Sequence, residues 1–332
     1  MIRTSNNLQL FTHDQFSLTI LAVIIYLTPS LALAETSEWK QWMMNLKNEA
    51  IEEGIRPETL DKALKDVKPS KQIIKLDQSQ TKRRISFTKY RNKKIDPYTI
   101  NKGKRLMKQH YKLLHNIEQT YSVNKCLIIT LWGMESAYGY YKGRFPVIDA
   151  LATLAYDPRR GEFFRSELMY ALMMVDNHHI KLEDFKGEWA GGSGHPQFLP
   201  STWYHYSVDH NLDGKKDIWN TLPDVFASMA NFMQQNGWRN DQPWGVEVKF
   251  PSYLDESLRG LEKEQKKSVQ AWRSIGVKIP KNKKHEHLKG WVIKLQDGPT
   301  LLVFDNFKAL RKWNRSLFYS ATAGYLSEKI CQ

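Results

Sequence analysis

Cysteine is nearly absent: two in 332 residues are too few for a disulfide scaffold or a cysteine-rich zinc module. No H-E-x-x-H helix, Walker loop, dinucleotide fingerprint or G-x-S-x-G elbow is present, so the chemistries those signatures carry have no support. His178, His179, His205, His210, His285 and His287 form no zinc-ligand spacing. No apolar run reaches the ~20 residues that span a bilayer. Acid is scarce beside base: 35 Asp plus Glu stand against 49 Lys plus Arg, a net +14 that points to an anionic partner. With 41% hydrophobic and 12% aromatic residues, the chain has the composition of a folded protein rather than a disordered or collagen-like one.

The first 34 residues narrow the choice of anion. Arg3 lies in a polar start, an apolar run extends from Phe16 to Leu27, Pro29 ends it, and Ala32-Leu33-Ala34 precedes Glu35. This order predicts a secretory signal peptide cut after Ala34, the alternative being a buried or interfacial N-terminal helix. The mature chain is then exported to the periplasm, spans no membrane and keeps its +14. Export removes nucleic acid as a partner and leaves a cell-envelope polymer or surface. No Cys follows Ala34, so nothing suggests a lipid anchor there. An oxidising compartment permits a Cys126–Cys331 bridge. One of the two lies in an apolar helix and the other is penultimate, and the expectation is two unpaired, buried thiols.

Helical spacing of Trp39, Trp42, Met43 and Leu46 predicts helix over 37–66, with a new turn opened by Pro57-Glu58. Residues 67–103, rich in Lys, Arg and Pro, read as an extended surface segment, followed by a basic helix near 98–120. The stretch from Val123 to Trp238 is aromatic-rich and holds most of the chemical signals. Period-two alternation at Val246, Val248 and Phe250, and apolar runs either side of Asp297-Gly298, predict strands and a hairpin. Residues 255–287 read as a helix plus a Lys-rich loop, and Phe307–Ile330 as a closing helix. The predicted organisation is a signal peptide at 1–34, an N-terminal helical segment at 35–120 and an aromatic-rich core at 121–240. A small β subdomain at 241–305 and a helical segment at 306–332, returning to the N-terminal helices, complete it. The fold class is mainly α (α+β).

Leu127, Leu131 and Glu135 follow at four-residue spacing, with Ile128 and Trp132 on the adjoining stripe, so Glu135 shares the apolar face of its helix. Gly139 is expected to end that helix, which puts Glu135 in the last turn. Desolvation and the negative end of the helix dipole both disfavour ionisation there. A glutamic acid kept protonated near neutral pH is what a general acid needs. The alternative is a structural Glu held by an Arg or a backbone amide.

The run Leu131-Trp132-Gly133-Met134-Glu135-Ser136-Ala137-Tyr138-Gly139 and the segment from Phe145 to Ala155 resemble the membrane-bound lytic transglycosylase B family, enzymes that cleave peptidoglycan. The likeness continues through Pro158-Arg159-Arg160, Gly161–Phe164, Gln197–Ser201, Asp217–Asn220, Asn306-Phe307 and Trp313–Ser316. It implies a lysozyme-like helical core with Glu135 as the catalytic residue. The implied reaction is cleavage of the MurNAc–GlcNAc β-1,4 bond with a 1,6-anhydromuramoyl product. One carboxyl acts as acid and then as base, so the second carboxylate of ordinary glycosidases is dispensable. Ser136, Arg159, Arg160, Glu188, Ser193, Gln197, Phe232, Trp313 and Asn314 are the expected substrate-binding residues. The arginines would meet muramyl or peptide carboxylates, with surface salt bridges as the alternative.

The sequence departs from the family in places. Glu188 stands where a small hydroxyl residue is usual, Gly192-Ser193 where Ala-Met is usual, His195 where Gln or Tyr is frequent, and Phe232 where Tyr is common. Glu188 either points inward, titrating with Glu135 as a coupled pair, or points to solvent. These departures keep two other readings open: a weak or inactive peptidoglycan-binding scaffold, and a hydrolytic muramidase with Glu188 as second carboxylate.

Asp209, Asn211, Asp213, Gly214, Lys215, Asp217 and Asn220 match the spacing of a calcium loop, with the Lys215 carbonyl as the backbone ligand. Asn220 in place of the usual Glu predicts weak affinity, and an Asx-rich turn without metal is the alternative. The calcium would be structural, and no cofactor is expected for catalysis. Tyr138, Tyr140, Tyr141, Trp189, Trp203, Tyr204, Trp313 and Tyr319 offer faces for sugar rings, with core packing the expected role of more than half.

Overall fold

The computed structural model describes the backbone of residues 21–79, 85–282 and 285–332, with side chains from residue 37 onward. The expected leader therefore lies outside the described residues up to residue 20, and the side chains at its cleavage site are also outside them. No helix among the described residues is long and apolar enough to cross a membrane. The chain divides into two compact units, Met1–Pro57 and Glu58–Gln332. The described residues of the first hold α1 (Leu21–Glu52), in which the Trp39 and Trp42 rings stack 5.0 Å apart.

Beyond α2 (Pro57–Ala63), the Lys- and Pro-rich stretch forms helices rather than an extended segment: α3 (Lys71–Ser79), α4 (Phe87–Lys94) and α5 (Pro97–Gln109). The prolines mislead because they open helices instead of breaking them. Pro97 occupies the first position of α5, where its missing N–H costs nothing, and Asp96 caps that end by accepting the Thr99 N–H at 2.9 Å. Ser86 caps α4 in the same way through Lys89. The single basic helix expected near 98–120 breaks at His110 into α5 and α6 (Tyr111–Tyr121).

The helix α7 (Lys125–Ser136) is surrounded: Leu127, Ile128, Ile129, Leu131, Trp132 and Met134 are all buried. A helix apolar on nearly every side belongs at the centre of its fold. Around it pack α5, α6, α11 (Leu222–Gln235) and α14 (Leu317–Cys331). A second group consists of α8 (Val147–Tyr156), α9 (Gly161–Asp176) and α10 (Pro200–Tyr206), with a two-stranded ribbon of β1 (Phe145–Pro146) and β2 (Lys186–Gly187).

The β insertion is a four-stranded antiparallel sheet in the order β3–β6–β5–β4, from Gly245–Val248, Lys267–Ser268, Lys289–Lys294 and Thr300–Val303. The expected hairpin is β5–β6, with Val292 opposite Leu302 and a left-handed Asp297 before Gly298 in the turn. Trp272 of α12 (Val269–Ser274), Val292, Leu302 and Phe304 form a separate small core there. The closing helix is two: α13 (Asp305–Trp313) ends where Asn314–Ser316 turn the chain, and Ser316 caps α14 through the Tyr319 N–H.

Cys126 and Cys331 are joined, their Cα atoms 5.7 Å apart, so the expectation of two free thiols is corrected. The packing of α14 along α7 brings the last residue of one helix to the first turn of the other, a proximity invisible to sequence spacing. The bond closes a loop of 205 residues. Replacing both cysteines by alanine should lower unfolding free energy by about 2–4 kcal/mol in urea titration. No loss would show that packing of α14 alone constrains the chain.

Candidate active site

Three consecutive left-handed residues terminate α7: Ala137, Tyr138 and Gly139, with φ of 50°, 62° and 79°. The helix therefore ends at Ser136, one turn earlier than Gly139 suggests. Two non-glycine residues in this region cost of order 1–3 kcal/mol each, and such strain clusters where a side chain must be aimed. A side chain at Gly139 would strike the His195 ring, so the turn has no space for one. Ser136 locks the same turn, donating to the Trp132 carbonyl at 3.2 Å and accepting the Gly139 N–H at 3.0 Å. It is buried and meets no cleft, contrary to its expected substrate role.

Glu135 stands in the last turn of α7, half-buried, at the wall of a cleft of about 650 Å³. Its Oε1 accepts two hydrogen bonds, from Trp313 Nε1 and from the Tyr319 hydroxyl, both at 2.6 Å. Among the described residues no donor reaches Oε2, and that oxygen remains open to solvent. Burial raises the carboxyl pKa; the bonds from Tyr319 and Trp313 and the charge of Lys94 pull the other way without cancelling it. The residue keeps an opening to the cleft while its carboxyl lies deep among side chains, so the desolvation is real.

The helix dipole contributes less than the sequence suggested. Lys94 Nζ donates to the Met134 carbonyl at 3.3 Å and Lys102 Nζ to the Ala137 carbonyl at 3.2 Å, which offsets the negative helix end. Tyr319 stays a donor, because burial and the neighbouring Glu135 hold its hydroxyl well above its ordinary pKa of 10. Behind the site, His195 is buried, accepts the Trp132 indole N–H on Nδ1 at 2.8 Å, and is pushed down to about 4 by burial, so its ring is neutral.

Of the expected substrate residues, Arg160, Gln197, Phe232, Trp313 and Asn314 line the cleft with Glu135. Gln197 sits in the left-handed region with its Nε2 on the Gly194 carbonyl at 2.8 Å, and its buried Oε1 has no partner among the described residues. Phe198, Phe232 and Trp313 form an aromatic corner, with ring centroids 5.0–5.9 Å apart. Arg159 lies outside the cleft lining, tied to Asp77 at 2.9 Å and Asp157 at 2.7 Å, which is the salt-bridge alternative. Arg160 also touches Asp77, at 3.3 Å, and lies over the Phe164 ring.

Ser193 is buried in a backbone bridge to Gly187 and Phe198 and does not reach the cleft. Glu188 faces the Tyr141 hydroxyl and lies outside the lining of the cleft that holds Glu135. The coupled pair of carboxylates is therefore not formed. The roles of Tyr319, Lys94 and Lys102 were not legible in sequence. Tyr319 figured there only as an aromatic face, 184 residues from the acid it holds.

The acidic loop gathers Asp209 and Asp213 with Asp224, which sequence spacing did not include, their oxygens within 4.8 Å of one another. Asp217 is turned away as a cap, accepting the Trp219 and Asn220 N–H groups on Oδ1 and the Thr221 hydroxyl on Oδ2. Asn211 Nδ2 donates to Asp213, and the Lys215 N–H does likewise. Asp224 is fully buried, and burial with the charge of Asp209 raises its carboxyl pKa. Three carboxylates at this distance, one without access to water, are a hard-oxygen donor set that suits a divalent cation such as calcium.

The sequence model of the transglycosylase SLT domain matches residues 38–328. Membrane-bound lytic murein transglycosylase B of Escherichia coli (strain K12) is 28% identical over 250 residues, 74% of this chain and 67% of that one. Among solved structures, SltB3 of Pseudomonas aeruginosa in complex with NAG-anhNAM-pentapeptide is 33% identical with a TM-score of 0.83, covering 88% of this chain and 79% of that one. The Escherichia coli lytic transglycosylase SLT35 in complex with calcium is 25% identical with a TM-score of 0.77, covering 87% and 92%. With a matching family model over most of its length and these relatives, the chain belongs to the transglycosylase SLT-domain family and is a glycan-cleaving lytic murein transglycosylase.

Proposed function

We propose that this lyase cuts the MurNAc–GlcNAc β-1,4 bond of peptidoglycan strands with Glu135 as the sole acid and base, releasing 1,6-anhydromuramoyl ends. The observation that carries the reading is the asymmetry of the Glu135 carboxyl: among the described residues, two donors on Oε1 and none on Oε2, with burial that favours the protonated form. The proton resides on Oε2, which opens toward the cleft. It passes to the bridging oxygen as the C1–O bond breaks and positive charge develops on the muramyl ring. Oε2, now anionic, takes the proton of the muramyl 6-hydroxyl, whose oxygen bonds to C1. No water is activated, so a second carboxylate has no task, consistent with Glu188 lying elsewhere. The aromatic corner of Phe198, Phe232 and Trp313 offers faces to a sugar ring. Product analysis of digested sacculi by mass spectrometry tests this: anhydro ends support it, and reducing-end muropeptides alone overturn it.

The reaction fits an exported protein, with the leader removed after Ala34 and the mature chain acting in the periplasm. Asp209, Asp213 and Asp224, with the Lys215 carbonyl and Asn211 nearby, would hold a structural calcium that neutralises their repulsion and pins the loop to α11. Calcium at ten to a hundred times its Kd should stabilise the fold by roughly 1–3 kcal/mol. Chelation should lower Tm, added calcium should restore it, and Asp213→Ala should abolish the difference. A Tm indifferent to calcium in the wild type would leave an Asx-rich turn without metal.

A further inference from the structure

Between Ile85 and Lys112 stand nine Lys and Arg against a single acid, Asp96, so these 28 residues carry +8 of the chain's +14. That acid is spent locally, its two oxygens holding the Thr99 N–H and hydroxyl at 2.9 and 2.8 Å. The fold turns five of these nine cations outward, Lys89, Lys93, Arg105, Lys108 and Lys112. On α5, Tyr98, Asn101, Arg105 and Lys108 are exposed at three- and four-residue spacing, which is one face of a helix. Lys89 and Lys93 are exposed on α4, and Lys112 on α6. Among the described residues, Lys89, Lys93, Lys104, Arg105, Lys108 and Lys112 make no ion pair. Like charges gathered without counter-charges raise the local potential and draw in an external anion.

The apolar side chains of these helices point inward: Phe87, Leu114 and Ile117 are fully buried. A helix that lies in a lipid surface needs a broad apolar face to insert, and none is presented here. What accompanies the cations instead is two exposed aromatic rings, Tyr98 and Tyr111. Cations beside flat exposed rings suit a glycan that carries carboxylates. The same helices also reach the reacting site, since Lys94 and Lys102 bond the carbonyls on either side of Glu135.

We propose that the outward face of α4–α6 is a second, non-catalytic docking surface, which binds the stem-peptide carboxylates of peptidoglycan strands outside the cleft. The inference rests on the proposed substrate and adds to it a contact that holds the enzyme on the sacculus between cuts. Rim charges of this kind act mainly on encounter and on salt dependence.

The test measures sedimentation of the Glu135→Gln protein with isolated sacculi, which separates docking from cutting. Its binding should weaken steadily as salt rises from about 50 to about 300 mM. Adding K104E/R105E/K108E should weaken sacculus binding about tenfold or more at low salt and flatten that dependence. K104Q/R105Q/K108Q should give a smaller loss in the same direction, with an unchanged Tm marking folded protein. In the wild-type background neither set should alter cleavage of a short soluble peptide-bearing tetrasaccharide. Salt-insensitive binding, or sacculus binding equal in all variants, overturns the proposal. So does a charge-dependent loss confined to phosphatidylglycerol vesicles, which would make the face a membrane contact. Charge-dependent binding together with a wild type that yields no anhydro products would instead sink the proposed reaction and leave the docking surface standing.

Discussion

Glu135→Gln is expected to reduce release of anhydromuropeptides from sacculi by at least about 100-fold, the lower end of what a positioned acid–base residue contributes. The glutamine keeps the shape of the side chain and can still accept at Oε1 from Trp313 and Tyr319, so the loss isolates proton transfer from packing. The same variant should be more stable than the wild type at neutral pH. Burial raises the Glu135 pKa above its ordinary 4.5, so the folded protein holds a proton that the unfolded chain has released. The stability contributed by this group is complete below pH 4.5 and is lost as pH rises through the folded value. Glutamine is neutral throughout. The Tm difference should therefore appear as pH rises through that window and vanish below it. A variant that is inactive yet no more stable at neutral pH would mean that the carboxylate is satisfied in its ionised form and is not a poised acid.

Tyr319→Phe and Trp313→Phe should each lower kcat by about 10- to 100-fold, because each removes one of the two donors that orient the carboxyl. The sign of the pH effect distinguishes this role from simple packing. Both bonds favour the ionised form of Glu135, so removing either raises its pKa further. The alkaline limb of the rate profile, where the acid loses its proton, should shift to higher pH in both variants. A fall in kcat with an unmoved limb would place the two residues in sugar binding alone. Tyr319 is the cleaner probe, since it is buried and absent from the cleft lining, whereas Trp313 also lines the cleft.

The helix that carries Glu135 was legible because its apolar residues recur at helical spacing and the acid interrupts them. The hairpin around Asp297-Gly298 was legible for a similar reason, a turn residue tolerant of positive φ between two apolar runs. Helices α3 and α4 in the Lys-rich stretch were not, whereas α5 falls within the basic helix expected near 98–120. The charges of this stretch read as loop unless the cap at Ser86 is weighed above composition. The disulfide was misjudged because spacing carries no information about two residues 205 apart.

The sequence by itself determined the chemistry: an acid on an apolar helix face, an acidic loop, an excess of base, and motifs long enough to reveal a resemblance. Tertiary structure alone decided which groups act on that acid. Trp313 arrives from the end of α13 and Tyr319 from the first turn of α14, Lys94 and Lys102 from α4 and α5, while Glu188, near in expectation, faces Tyr141. The reason is physical. Helical periodicity fixes which face a side chain lies on, because that is a local property of the backbone. Desolvation and hydrogen bonding depend on what packs against that face, and in this chain those groups are brought together from opposite ends of the sequence.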